Sequence, residues 1–181
     1  MMFLLFWICG KIFELGYRAP RVSDANLEGV ELVSQDHFII RRLKALDGQR
    51  LALEYADGEK FEVSIAPIAG RYKLIKPLLD VAVFKTATIV PGGFALRWVD
   101  DDNLELAADN LRARAIEQSG QYSHEFLWNW MHQHQFTLDA AANALGLSRR
   151  MIAYYRSGEK PLPTTVALAC HGYDALAVKA A

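Results

Sequence analysis

The sequence predicts an α+β protein in two parts, a small antiparallel-sheet part followed by an all-α part of four to five helices. Three observations predict it. Over residues 30–99, short apolar stretches alternate with Asp-Gly and Pro-Gly-Gly breaks, as strands joined by tight turns do. After Gln121 the apolar residues recur at helical spacing. Between the two patterns lies the polar stretch Ser119-Gly120-Gln121. The chain therefore divides into an apolar N-terminal extension (1–19), an α+β domain (20–119) and a helical domain (120–181).

The extension begins with the continuously apolar run Met1–Cys9. It is far shorter than the roughly 20 residues a membrane span needs. No basic segment precedes it and no small-residue cleavage site follows closely, so neither a signal peptide nor membrane association is expected. The run reads as an extra packed element or as the product of an upstream start codon. In the α+β domain, Phe38–Ala45, Leu51–Tyr55 and Phe61–Ile65 flank Asp47-Gly48 and Asp57-Gly58. Asp-Gly supplies the positive φ angles of tight hairpins, which predicts a three-strand meander. Arg71–Asp80 reads as a short helical turn limited by Pro77. Ala87–Val90, Pro91-Gly92-Gly93 and Phe94–Trp98 form a second hairpin. Asp100, Asp101, Asp102 and Asn103 then offer N-caps for a helix reaching Gln118, with Leu104, Ala107, Ala108, Leu111 and Ala115 on its inner face.

In the helical domain Ser123 is placed to cap a helix to about Gln135, with Leu127, Trp130, Met131 and His134 along one face. Thr137 caps a short Ala-rich helix, Leu138–Leu145, whose small side chains let a neighbour approach closely. Gly146 closes it, because the sharp turn requires a positive φ. Leu147 enters the core and Ser148 caps Arg149–Ser157. Gly158 ends that helix, Pro161 and Pro163 prevent its continuation, and Thr164 caps a last helix to about Tyr173.

The composition, 52% hydrophobic and 23% charged, suits one ordinary domain or two small ones and excludes a disordered or fibrous protein. Cys9 and Cys170 are isolated thiols, which fit neither a disulfide framework nor a zinc site. They point to a reducing compartment, hence a cytoplasmic location. Cys170, inside the apolar run Val166–Cys170, is expected to be a small buried hydrophobe. The formal net charge of −1 excludes a globally basic surface. A local patch exists, however: Ser148–Lys160 carries Arg149, Arg150, Arg156 and Lys160 against Glu159 alone.

The ordered series Thr137 cap, small-residue helix, Leu145-Gly146-Leu147-Ser148, basic helix, Gly158 and Pro161-x-Pro163 resembles the Cro/C1-type helix-turn-helix family over about residues 123–175. The resemblance implies a compact repressor-like bundle whose third helix enters the major groove of double-stranded DNA. Its matching positions assign Arg149 and Arg150 to guanine edges. They assign Ser148 and Thr137, at helix N-termini, to phosphates, Tyr154 to a place one turn on, and Lys160 to the DNA backbone. Met151, Ile152 and Tyr155 form the helix's inner face. The chain departs from the pattern in three places. Leu138 stands where a polar residue is usual and Ala141 where a larger aliphatic is common, while Met131 and Arg156 replace an Arg–Glu pair, so that Arg156 must face solvent.

Arg21-Val22, Tyr55-x-Asp57-Gly58, Val63–Pro67, Leu78-Leu79-Asp80 with Phe84, and Leu96-Arg97-Trp98 before Leu104 resemble a small bacterial family of unknown function over about residues 20–115. Its usual acidic residue before the loop is Ser64 here. Some short members of that family look like partners of small toxin-like proteins, which implies a protein-binding role.

No catalytic motif occurs: there is no nucleophile elbow, phosphate-binding loop or dinucleotide fingerprint. His132 and His134 lie about 200° apart on a helix and cannot share a metal there. With His124 they are expected to stack on Trp128 and Trp130 or to be exposed. Asp100-Asp101-Asp102 lacks the ligand alternation of a calcium loop. The chain is therefore expected to be no enzyme, with no cofactor and no metal. The leading expectation is a bacterial DNA-binding transcriptional regulator acting as a homodimer on a two-fold site. The alternative is a protein-interaction module, an antitoxin-like partner of a small protein; small-molecule binding by the sheet part is a third.

Overall fold

The computed structural model describes residues 36–180, with side chains through 176. The 1–19 extension, Cys9 and Arg21-Val22 lie outside the described residues.

Strands β1 (Ile40–Leu46), β2 (Arg50–Tyr55) and β3 (Lys60–Ser64) form the expected antiparallel meander. Both Asp-Gly turns sit between them, with Gly48 and Gly58 at positive φ. Period-two alternation puts Leu51, Leu53, Tyr55 and Val63 in the core. The opposite face carries cross-strand ion pairs: Arg42 and Lys60 each reach Glu54 at 3.7 Å, and Arg50 meets Glu62 at 2.5 Å. At the end of β3 the Gln118 side-chain amide substitutes for a neighbouring strand. Its Oε1 accepts from Ser64 N (2.8 Å) and its Nε2 donates to Ser64 O (2.9 Å).

The segment after β3 is more helical than the sequence suggests. Helix α1 (Ala66–Arg71) carries Pro67 in its first turn, where proline is favoured; a 3-10 turn (Lys73–Leu79) contains Pro77. Helix α2 (Val81–Phe84) is capped by the Asp80 carboxylate, which accepts from Ala82 N at 2.7 Å.

A second antiparallel sheet, order β4-β5-β6, contains the expected hairpin β4 (Thr88–Ile89) and β5 (Ala95–Trp98). It also contains β6 (Asp101–Ala107), which corrects the expectation of a helix capped by the Asp cluster. Val99 and Asp100 turn the chain at φ +49° and +55°. Arg97 then gathers Asp102 at 2.9 Å and Glu105 at 2.5 Å on its guanidinium. These cross-strand pairs and the Arg97↔Glu105 register make the acidic run a strand. Helix α3 therefore starts only at Ala108 and ends at Gln118. Ala108, Leu111 and Ala115 are buried as expected, Leu104 is buried from β6 instead, Ala107 is exposed, and Ala113 is buried as well. Two buried polar anchors tie the layers together: Tyr55 OH donates to Ala108 O (2.8 Å) and Trp98 Nε1 to Phe84 O (3.0 Å).

The all-α part comprises α4 (His124–Gln133), α5 (Leu138–Leu145), α6 (Arg149–Arg156) and α7 (Thr164–Ala180). It has its own core of Leu127, Trp130, Met131, Ala141, Ala142, Ile152, Tyr155, Leu162, Val166, Ala167 and Cys170. Helix α7 runs past Tyr173, and Thr164 opens it rather than capping it, since Pro163 O accepts from Ala167 N (3.2 Å). Cys170 is fully buried, and burial together with the nearby Asp174 pushes its thiol up to about 12. Among the described residues no helix is long and apolar enough to cross a membrane.

Candidate nucleic-acid interface

Helices α5 and α6 are built by local chemistry. Thr137 Oγ1 accepts from Ala140 N at 3.2 Å and Ser148 Oγ from Met151 N at 3.3 Å, so each hydroxyl satisfies an amide that the helix start leaves orphaned. Between them Gly146 takes the left-handed conformation (φ +66°), and Leu147 N returns to Ala142 O at 2.9 Å. Ile152 and Tyr155 anchor α6 in the core, with Met151 half-buried beside them. This leaves Ser148, Arg149, Arg150, Arg156 and Lys160 exposed, so Arg156 faces solvent as the loss of its usual partner requires.

The residues singled out from the sequence fall into three groups. Arg150, Tyr154 and Lys160 come together. Arg150 Nε donates to Tyr154 OH (2.6 Å) with its guanidinium 5.1 Å from the ring centre, and Lys160 Nζ lies 4.9 Å from the same centre. Two cations thus flank one phenol ring, which holds both long side chains in place by cation–π attraction. Arg149 stands apart, its Nε 3.3 Å from Asp139 Oδ1 on the first turn of α5. Both partners are largely exposed, so the pair contributes little stability but orients the guanidinium. Thr137 and Ser148 mark the two helix starts. Sequence reasoning missed Asp139; an acidic residue in the first turn of the helix preceding a basic one was the available signal.

Around this face the histidines find ring partners. His132 stacks on Trp128 with centroids 5.3 Å apart, and His134 tilts against Trp130 at the same separation. Asp174 on α7 accepts from both His134 Nε2 (2.7 Å) and Trp130 Nε1 (2.9 Å), which clamps the end of α4 to α7. Among the described residues no group of three or more His, Cys, Asp or Glu is placed to hold a metal ion.

The start of α4 is unlike a capped helix. Ser123 occupies the N-cap position, yet its hydroxyl donates to Glu117 Oε1 on α3 (2.5 Å), which corrects the expectation of a side-chain cap. Next to it, burial holds His124 down to about 4; His37 and Arg112 act in the same direction and Asp109 opposes them. Burial also pushes Glu125 up to about 7 against the pull of Arg114, with Glu117 and Asp109 adding to the rise, and its Oε1 has no hydrogen-bond partner.

No protein-family model matches the chain, and no curated protein does. A solved structure does: that of NE0471, a candidate DNA-binding protein from Nitrosomonas europaea, 36% identical in sequence. The match has a TM-score of 0.69 and covers 78% of this chain and 90% of the Nitrosomonas chain, so it spans both the sheet part and the helices. At that identity and coverage the chain belongs to the same family as the Nitrosomonas protein.

Proposed function

We propose that this chain is a DNA-binding transcriptional regulator of the Cro/C1 type, a cytoplasmic binding protein rather than an enzyme. It uses α6 as recognition helix in the major groove and works as a homodimer on a two-fold site. The observation that carries this reading is the exposed face of α6. Arg149 and Arg150 project at the helix start, Tyr154 lies one turn on, and Lys160, beyond the helix end, adds a cation beside the Tyr154 ring. The name of the Nitrosomonas relative supports a DNA-binding role. Arg149 and Arg150 donate to guanine O6 and N7, each worth about 1–3 kcal/mol of discrimination. The amides at the starts of α5 and α6, beside Thr137 and Ser148, meet phosphates. On a near-neutral chain the local basic patch confines the phosphate contacts to this face.

Fluorescence anisotropy with duplex DNA from the region upstream of the protein's own gene tests the reading. Affinity falls steeply with salt, and the combined variant Arg149→Ala/Arg150→Ala loses its preference for that duplex over a scrambled one. Binding indifferent to salt and to those arginines refutes it.

A further inference from the structure

Residues 36–39 lie ahead of β1, in the sheet part of the molecule, yet His37 and Phe38 among them reach the end of α6. We infer that Phe38 and His37 are positioning residues for α6, so that base selection by this helix depends on the α+β part. The inference rests on the proposed role of α6 in DNA reading.

The segment is held on its own side by three links. Ile39 O accepts from Ala56 N (2.8 Å), which fastens it to the end of β2, and Ile40 N donates to Gly93 O (2.8 Å), which fastens it to the second sheet. Arg112 on α3 donates to His37 O at 2.8 Å while pairing with Asp57 at 2.6 Å. The same guanidinium lies 5.1 Å from the Tyr55 ring centre and 4.8 Å from that of Phe61. Residues 37–40 are therefore a rigid projection of the sheet part rather than a loose lead-in.

That projection reaches the last turn of α6. With its proton on Nε2, His37 donates to Ser157 O at 3.2 Å, supplying from outside a partner for a carbonyl that a helix end leaves unsatisfied. The Phe38 ring tilts against His124 with centroids 5.0 Å apart and fills the space beside Gly158. A Cβ on Gly158 would lie 2.8 Å from Phe38 Cζ. Gly158 is thus required by the close approach of a ring 120 residues earlier, besides its left-handed φ of +74°.

Helix α6 has eight residues. It is held in the middle by Ile152 and Tyr155 and at its end by His37 and Phe38, while the exposed Arg149–Asp139 pair at its start adds little. At about 1.5 Å per residue it is about 12 Å long, so a tilt of about 10° displaces one end by about 2 Å relative to the other. A hydrogen bond to a base edge tolerates a few tenths of an ångström. Loss of the C-terminal anchor therefore degrades base reading by Arg150 before it weakens attraction to the phosphates.

The test uses the full chain and the variants Phe38→Ala and Phe38→Leu, with two measurements. In native-state hydrogen exchange, Phe38→Ala accelerates the amides of Arg156, Ser157 and Gly158 and leaves those of Ala141 and Ala142 in α5 unchanged; Phe38→Leu restores most of the protection. In anisotropy, Phe38→Ala lowers the ratio of upstream-duplex to scrambled-duplex affinity about tenfold, as if one bidentate base contact were loosened, with low-salt affinity for the scrambled duplex unchanged. Unchanged exchange at α6 overturns the inference, as does equal acceleration in α5 and α6, which marks general destabilisation. So does an unchanged affinity ratio. If the wild-type chain binds no DNA, the proposed function falls, and with it the claim about base selection. The exchange measurement then still decides whether the sheet part holds α6.

Discussion

Gly146 and Gly158 end α5 and α6 with nearly the same backbone, φ +66° and +74°, but in different surroundings. A Cβ at Gly146 meets nothing within 4 Å, whereas one at Gly158 meets Phe38 Cζ at 2.8 Å and the His124 ring at 3.4 Å. The pair is therefore a controlled comparison. Alanine in the left-handed region costs about 1–2 kcal/mol at either position. At Gly158 the Phe38 ring must also move, and it is held by His124 and by the anchored segment before β1. Overpacking of this kind adds about 1–3 kcal/mol, and the lower end applies because the clashing atom is the far end of a half-buried ring. Gly146→Ala is thus expected to cost about 1–2 kcal/mol and Gly158→Ala about 1 kcal/mol more. Urea unfolding followed by tryptophan fluorescence, with unchanged m-values, measures both. In a Phe38→Ala background the excess at Gly158 disappears, a coupling that a double-mutant cycle reads directly. Equal losses at the two glycines with Phe38 present, or an excess that survives its removal, would refute the reasoning.

Two further predictions concern buried polar groups. Glu125, pushed up to about 7 from 4.5, binds its proton more tightly in the folded state, so its contribution to stability declines as pH rises from 4.5 to 7. His124, held down to about 4 from 6.5, works the other way: its contribution is intact above 6.5 and declines as pH falls towards 4. Glu125→Gln is expected to add about 2 kcal/mol at pH 8 and almost nothing at pH 4, leaving the His124 slope visible between 4 and 6.5. Denaturant midpoints from pH 4 to 8 measure it, and a gain that is the same at pH 4 and pH 8 contradicts the assigned cause. Asp174→Ala removes the acceptor shared by Trp130 Nε1 and His134 Nε2 and leaves the buried indole N–H without a partner. A loss of about 2–3 kcal/mol is expected, with a shift in tryptophan emission. A loss under about 0.5 kcal/mol would mean that α7 is held by its apolar contacts alone.

The features legible in the sequence are those whose cause is local. Asp47-Gly48 and Asp57-Gly58 dictate hairpin turns whatever surrounds them, and the meander follows from period-two alternation. Thr137, Gly146, Ser148 and Gly158 delimit α5 and α6 because a hydroxyl caps the amide three residues on and glycine accepts a positive φ. The exposed basic residues of α6 were legible for the same reason, since the burial of Ile152 and Tyr155 determines which face remains outside.

Tertiary structure decided the rest. Residues 101–107 suit either a capped helix or a strand, and only pairing with β5, through Arg97 and its carboxylates, makes them β6. Ser123 looks like a cap, but Glu117 on the neighbouring helix offers its hydroxyl a charged acceptor. Arg149 looks free until α5 brings Asp139 to it. The hold of Phe38 and His37 on the end of α6 joins residues 120 positions apart. No local period or cap encodes such a contact, because it exists only once two separately built cores are brought face to face.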